Sequence, residues 1–188
     1  PANDQIAVFT DADTIEGVSG FAFDGTTFTM PGQIAFPATQ SASAGANVLD
    51  DYEEGTWTPV IGGAGGTSGQ TYAVQSGLYS KIGKLVYCEF YVEVSAKGTI
   101  TGDVIIKGLP FTSEPYTAIS LDVPAVIIMF GAMATNWITI LARGQRNTTN
   151  AILLGLNAAA ANNQIVLATA DISNTTSFRG NYFYLATA

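Results

Sequence analysis

The clearest pattern of hydrophobic and polar positions lies in "KLVYCEFYVEV", from Lys84 to Val94. Apolar residues alternate with a second set of residues, and a period of two predicts a half-buried β-strand. The first face carries Val86, Cys88, Phe90, Val92 and Val94, and the other carries Leu85, Tyr87, Glu89, Tyr91 and Glu93. The second face is partly aromatic, which is unusual for a surface that meets only water.

Further strands are predicted along the rest of the chain. The turn "SAKG" is followed by "TITGDVIIKGLP", residues 99–110, which we expect to return as the second strand of a hairpin with Ile100, Val104 and Ile106 on its apolar face. Later strands are predicted at Ala125–Phe130, Trp137–Ala142, Ala151–Leu156, Gln164–Ala170 and Phe178–Leu185. Short strands at about ten-residue spacing, with few helix signals, indicate an all-β fold. For residues 48–188 we expect an antiparallel β-sandwich of jelly-roll type.

The first 47 residues have a different character. They contain short β pieces broken by Asp-Gly, Pro-Gly and Ser/Ala/Gly turns, and few large apolar side chains. Such a segment buries too little surface alone, so we expect residues 1–47 to form a β-rich shaft or linker arm that pairs with identical copies or covers a neighbour. The domain boundary is predicted near Ser43–Asn47.

Composition favours an oligomer. Of 188 residues, 47% are hydrophobic and only 12% are charged, more apolar than a monomer of this size requires. Together with the arm, this predicts a homotrimer. The opening Pro and the absence of a positive start with a long apolar run predict a fragment of a longer chain with no signal peptide.

Charge and residue usage exclude several classes of function. A net charge of −8 argues against nucleic acid and anionic membrane surfaces as partners. The run "VPAVIIMFGAM" is too short to span a bilayer, so we expect no membrane insertion. With no histidine and one cysteine, His-based catalysis, His-ligated metal sites and an internal disulfide are excluded. We expect neither a metal nor a cofactor.

One long segment resembles a known protein family, namely "FDGTTFTMPGQIAFPATQSASAGANVLDDYEEGTWTPVI". This segment is similar to one that recurs in bacteriophage tail fibres and tailspikes, where "FPATQ" leads through "NxLDDYEEGTWTP" into a C-terminal domain. "TYAVQSGLYSKIGKLVYCEFYVEV" and "GDVIIKGLPFT" also match that domain, and "NDQIAVFTDADTIEG" resembles linker repeats just upstream in the same proteins. The resemblance therefore covers about residues 3–112. It implies a homotrimer on the virion, made in the host cytoplasm and joined to other virion tail proteins. It also implies a β-sandwich that binds a host surface polysaccharide or other receptor, or supports a domain that does.

The acidic stretch "VLDDYEEGTWTPVI" is interpreted as a structural junction. A metal site and a catalytic pair are the alternatives, but acids adjacent in sequence point apart and the spacing is not that of a known calcium loop. In the junction, Asp50 and Asp51 bond a turn, Trp57 anchors the first strand of the sandwich, and Pro59 lies at a strand edge.

Candidate glycan-binding residues lie in "TYAVQSGLYSKIG": Tyr72, Gln75, Tyr79 and Lys81. Tyrosines with a nearby amide and amine can stack on and hydrogen-bond a sugar, but packing between strands or protomers is the alternative and is favoured. The same alternative is favoured for the C-terminal aromatic residues Phe178, Tyr182, Phe183 and Tyr184. For Cys88 we expect a small buried hydrophobe.

The expected function is non-enzymatic attachment, in which three identical sites on one trimer reinforce one another. A structural trimerisation, capping or capsid-decorating appendage without a ligand is the second hypothesis. A glycan depolymerase is the third, although tailspikes usually carry that activity on a long β-helix that this chain is too short to contain.

Overall fold

The structure is a computed structural model that describes residues 5–9, 15–37, 49, 51–115, 126–157 and 163–187. The chain divides into an N-terminal unit, Pro1–Pro37, and a C-terminal unit, Ala38–Ala188. The boundary predicted near Ser43–Asn47 lies outside the described residues, so the division into 1–47 and 48–188 stays a prediction.

The N-terminal unit is a three-stranded antiparallel sheet of β1 (Gln5–Phe9), β2 (Ile15–Phe23) and β3 (Phe28–Thr29), in that order. The tight turn between β2 and β3 has Gly25 at a φ of +94°, a conformation that glycine adopts freely. The carboxylate of Asp24 accepts the backbone N–H groups of Thr27 and Thr26 at 2.6 and 2.8 Å, which lowers the pKa of Asp24. The predicted Asp-Gly turn is therefore confirmed. The segment "QIAFPATQSASAGAN" is also predicted as a β piece, but its described part, residues 33–37, contains no strand.

The described part of the C-terminal unit is built mainly of β-strands. Its strands are β4 (Tyr52–Trp57), β5 (Val60–Gly63), β6 (Gly66–Ser68), β7 (Thr71–Ile82), β8 (Leu85–Ala96), β9 (Thr99–Thr101), β10 (Val104–Lys107), β11 (Val126–Gly131), β12 (Thr139–Gly144), β13 (Asn150–Leu156), β14 (Ile165–Val166) and β15 (Ser177–Leu185). Ten of them form one antiparallel sheet in the order β4-β7-β8-β15-β11-β12-β13-β10-β5, with β14 paired to β13, and β6 pairs with β9. The described residues contain no α-helix, so the all-β prediction is confirmed, while the sandwich arrangement stays a prediction.

The large sheet curls, so that side chains from distant strands share one core. Ile61 of β5, Ile140 of β12 and Phe178 of β15 belong to the same buried cluster. The apolar face predicted for β8 is confirmed, because Val86, Cys88, Phe90, Val92 and Val94 are all buried in that cluster. Burial of Phe178, Tyr182 and Tyr184 confirms the preference for core packing over ligand contact at these three C-terminal aromatic residues, whereas Phe183 is exposed.

The hairpin predicted between β8 and residues 99–110 is wrong. A two-residue turn with Gly83 at a φ of +55° joins β7 to β8, and β15 takes the other edge of β8. The chain after β8 breaks at Gly102, where φ is +78°, and gives β9 and β10 instead of one strand. β10 then lies between β5 and β13. Both edges of β8 are occupied, so no edge remains for a returning strand.

The strand predicted at Gln164–Ala170 is also too long. Only Ile165–Val166 pairs with β13, and a single 3-10 turn follows at Thr169–Asp171. The carboxylate of Asp171 accepts the backbone N–H of Ala168 at 2.8 Å, and this bond favours a turn over an extended chain. The predicted strands near 126–131, 139–144, 150–156 and 177–185 are confirmed with shifts of up to two residues at their ends.

Burial of Cys88 in the core predicts how its thiol reacts and how the stability of the protein depends on pH. Burial raises the pKa of its thiol from 9.0 to about 12, so native protein at pH 8 should not react with a thiol reagent, while denatured protein should react fully. When folding raises the pKa of a group, the resulting stabilisation is fully present below the unfolded pKa and is lost as the pH rises through the folded pKa. We therefore expect the melting temperature to fall as pH rises from 9.0 towards about 12, less steeply in Cys88→Ala. Equal labelling of native and denatured protein would contradict this.

Candidate functional site

The acidic junction holds a buried charge pair. Asp51 lies just before β4, and its side chain is hydrogen-bonded to the ammonium of Lys81 on β7; the two side chains are 5% and 3% exposed. The backbone carbonyl of Asp51 also accepts the N–H of Gly83 at 2.9 Å. The side chain of Asp51 therefore bonds a cation rather than turn amides. Asp50 lies outside the described residues.

Trp57 closes the other end of β4. Its indole N–H donates to the carbonyls of Leu78 at 3.2 Å and Glu89 at 3.1 Å, and its ring packs edge-on against Phe90 with centroids 5.8 Å apart. A Cβ on Gly77 would lie 2.4 Å from the indole nitrogen, so only glycine leaves room for this ring. Trp57 thus connects β4 to both β7 and β8.

Pro59 lies between β4 and β5, the two ends of the strand order. Its carbonyl accepts the side-chain amide of Gln75 at 3.0 Å. A proline costs no ladder hydrogen bond there, because it stands outside both strands.

The predicted glycan-binding residues bond and pack within the fold. Tyr72 donates to the carbonyl of Ile61 at 3.4 Å, Gln75 bonds Pro59 as described, and Lys81 is buried with Asp51. These contacts favour the packing alternative for the three residues.

Tyr79 is the fourth of these residues. Its ring packs edge-on against Phe111 at a centroid distance of 5.2 Å, and its hydroxyl donates to Glu53. Burial, followed by the bond to Glu53, raises the pKa of Tyr79 to about 12. These contacts again favour packing over glycan binding.

The outer face of the same strands forms a groove that the sequence did not identify. Two rows of side chains that point outward run across β7, β8 and β15. The residues between these two rows face inward, so a groove of about 420 Å³ lies between the rows. We call this the cross-strand groove. Its walls are the registered rows Leu78–Glu89–Asn181 and Ser76–Tyr91–Arg179, and its floor is Gly77–Phe90–Gly180.

The groove combines a carboxylate, an amide, a guanidinium and an aromatic ring. The Tyr87 hydroxyl donates to the Glu89 carboxylate at 2.7 Å, which raises the pKa of Tyr87 and holds the acid in position. The guanidinium carbon of Arg179 lies 4.4 Å from the centroid of the Tyr91 ring. Tyr91 in turn donates to Glu93, and that bond raises the pKa of Tyr91. The polar groups at the groove are therefore oriented by their neighbours.

A second feature of the outer face is apolar. One registered row across β4, β7, β8 and β15 consists of large hydrophobic side chains that are 39–52% exposed. This apolar row is Tyr52, Ile82, Leu85 and Leu185. Phe183 lies beside it, stacked on Tyr87 with centroids 5.9 Å apart. The row gives the outer face a hydrophobic margin, and the row Ser80–Tyr87–Phe183 separates it from the cross-strand groove.

Comparisons with protein-family models, with curated proteins and with solved structures found no match to this chain. In the part of the chain that the structure describes, no helix is long and apolar enough to cross a membrane. Within the same residues, no group of three or more His, Cys, Asp or Glu side chains is placed to hold a metal ion.

The junction predicts a large stability cost for Trp57→Ala. Trp57 is 7% exposed and its indole bonds two neighbouring strands, and truncation of such a side chain costs about 3–5 kcal/mol. Urea unfolding of the variant should show a much lower midpoint than wild type. Thr56→Ala, an exposed neighbour on β4, should unfold close to wild type. If Trp57→Ala kept the wild-type midpoint, the anchoring role would be wrong.

Proposed function

We propose that this chain is part of a bacteriophage tail fibre or tailspike that attaches the virion to a host surface glycan without cleaving it. The observation that carries the proposal is the cross-strand groove, with Glu89, Asn181 and Arg179 beside Tyr91. The family resemblance over residues 3–112 supports the same assignment. On this proposal the protein is made in the host cytoplasm and is joined to other tail proteins on the virion.

The chemistry of the groove suits a saccharide. A carboxylate accepts hydrogen bonds, a guanidinium donates them and an amide does both, which matches a ligand rich in hydroxyl groups. Leu78 and Tyr91 offer apolar surface to the C–H faces of a sugar ring. Because the chain has a net charge of −8, a neutral glycan fits better than a polyanion.

The arrangement of carboxylates supports binding rather than hydrolysis. Glycoside hydrolysis requires two carboxyl groups that flank the scissile bond. Among the described residues that line the groove, Glu89 is the only acid. Asp51 and Glu53, at the junction, are bonded to Lys81 and Tyr79. These observations favour attachment over a depolymerase.

A trimeric, jelly-roll-like assembly is part of the proposal. The apolar row exposes Tyr52, Ile82, Leu85 and Leu185, and another copy of the chain is the occupant that we propose for it. Three copies would carry three grooves, and avidity then strengthens weak individual contacts. The same row favours the second candidate, a trimerisation or capping appendage without a ligand.

Glycan binding is tested at Glu89. Glu89→Gln removes the charged acceptor and should weaken binding to a recognised host polysaccharide by about tenfold, from the loss of one charge-assisted hydrogen bond. Glu54→Gln is the matched control. Glu54 accepts a hydrogen bond from Tyr52, as Glu89 does from Tyr87, and it lies on the same face of the sheet but outside the groove. Binding should be measured on cells and on purified surface polysaccharide, with glycan-stripped cells as the blank.

The results of these binding measurements distinguish attachment, a structural appendage and a depolymerase. Binding weakened about tenfold in Glu89→Gln and unchanged in Glu54→Gln supports attachment through the groove. No binding to any host surface favours the appendage. Release of reducing sugar ends from the polysaccharide would contradict the non-enzymatic proposal.

The trimer is tested by mass. Light scattering at micromolar concentration should give three times the chain mass of 19.6 kDa. Leu85→Lys, in the apolar row, should lower that mass, while Met129→Lys, an exposed site outside the row, should not. A wild-type mass near 19.6 kDa would contradict the proposal.

A further inference from the structure

Lys81 and Asp51 form an amine–carboxyl pair removed from water. Both side chains lie at or below 5% exposure, and the amine of one is hydrogen-bonded to the carboxylate of the other. We propose that Lys81 and Asp51 become joined by an intramolecular amide bond between Nζ and Cγ. The bond would connect the segment that enters β4 to β7.

Proximity supplies the first requirement of this reaction. Holding two groups in contact on a folded scaffold replaces a bimolecular encounter, and effective molarities of about 10⁵–10⁸ M are reached in well-oriented cases. Lys81 is fixed within β7, and Asp51 is fixed by the hydrogen bond from Gly83 to its carbonyl. The two reacting groups therefore meet whenever the protein is folded.

The surroundings supply the second requirement. The Lys81 nitrogen lies 5.3 Å from the centroid of the Phe111 ring, and Tyr79 packs against the same ring. Burial of both side chains replaces water around the pair by apolar surface, so one uncharged amide is better accommodated there than two separate charges. Exclusion of water also removes the reactant of the reverse reaction, hydrolysis of the amide.

The Glu53 carboxylate supplies a group that can carry a proton between the reacting atoms. It is the registered partner of Lys81 across the β4–β7 ladder and lies on the same face of the chain as Asp51, two residues away. The Tyr79 hydroxyl donates to the Glu53 carboxylate and holds it in place. Two acids and one amine thus share one side of two neighbouring strands.

The step balances without any other reactant. Lys81 transfers one ammonium proton to the Asp51 carboxylate, which leaves an amine and a carboxylic acid. The nitrogen lone pair then forms the N–Cγ bond, and Glu53 moves a proton from nitrogen to the departing hydroxyl. The Cγ–O bond breaks and one water molecule leaves, so no oxidant or reductant is needed.

A bond at this place would secure the end of the sheet. β4 stands at one end of the strand order, with β7 as its neighbour, so it is held by fewer ladder hydrogen bonds than a central strand. Trp57 fixes its C-terminal end, and the amide would fix its N-terminal end. A strand bonded at both ends resists peeling when tension is applied to the chain that precedes it.

The test is the intact mass of denatured wild-type protein. We expect a mass lower than the sequence mass by one water molecule, and the full sequence mass for Lys81→Arg, which keeps the charge but lacks the amine. Glu53→Gln should fold with a melting temperature near that of Lys81→Arg and keep the full mass. A full-mass wild type overturns the proposal, and so does a deficit that persists in Lys81→Arg. A deficit in Glu53→Gln equal to wild type overturns the role of Glu53.

Peptide mapping locates the bond. After denaturation, a protease that cleaves after Glu54 should leave the segment containing Asp51 attached to the segment containing Lys81. Trypsin should cleave after Lys84 but not after Lys81, and no lysine or arginine precedes Lys81 in the sequence. Separation of the two segments, or cleavage after Lys81, overturns the proposal even if the mass is low.

Discussion

Trp57 is the contact on which the arrangement of the C-terminal unit depends. Its indole N–H bonds carbonyls of both β7 and β8, so one side chain fixes β4 against two strands. The ring fits only because Gly77 has no side chain. Immediately afterwards the chain passes Pro59 and begins β5, at the opposite end of the strand order. Correct placement of Trp57 therefore sets where β4 ends and, three residues later, where β5 begins.

The two faces of β8 serve different purposes. The inner face supplies five buried side chains to the core, and the outer face carries tyrosine and glutamate in alternation with it. A tyrosine donates to the glutamate two residues later at Tyr52–Glu54, Tyr87–Glu89 and Tyr91–Glu93. Residues two apart share one face of a strand, so this spacing orients each carboxylate. At the cross-strand groove, such an oriented acid faces Asn181 across the ladder.

Sequence patterns located the strands with regular alternation and missed those without it. β8 was predicted because its apolar residues recur at every second position. β7 was not, since Gly77, Ser76 and Ser80 interrupt its pattern. The sequence offers its aromatic and amine residues as weak candidates for glycan contact and favours packing, and in the structure Tyr79 and Lys81 turn towards β4 and Phe111. Strand pairing was also mistaken, because a hairpin with residues 99–110 was inferred from nearness along the chain.

By itself, the sequence determined the all-β class, the inward face of β8 and the Asp-Gly turn of the N-terminal unit. These follow from local rules, namely the period of two in a strand and the freedom of glycine in turns. Only the tertiary structure decided that β15 pairs with β8, that Arg179 stacks on Tyr91, and that Lys81 is buried with Asp51. These contacts join residues 30 to 100 positions apart, and no local pattern encodes which distant strand occupies an edge.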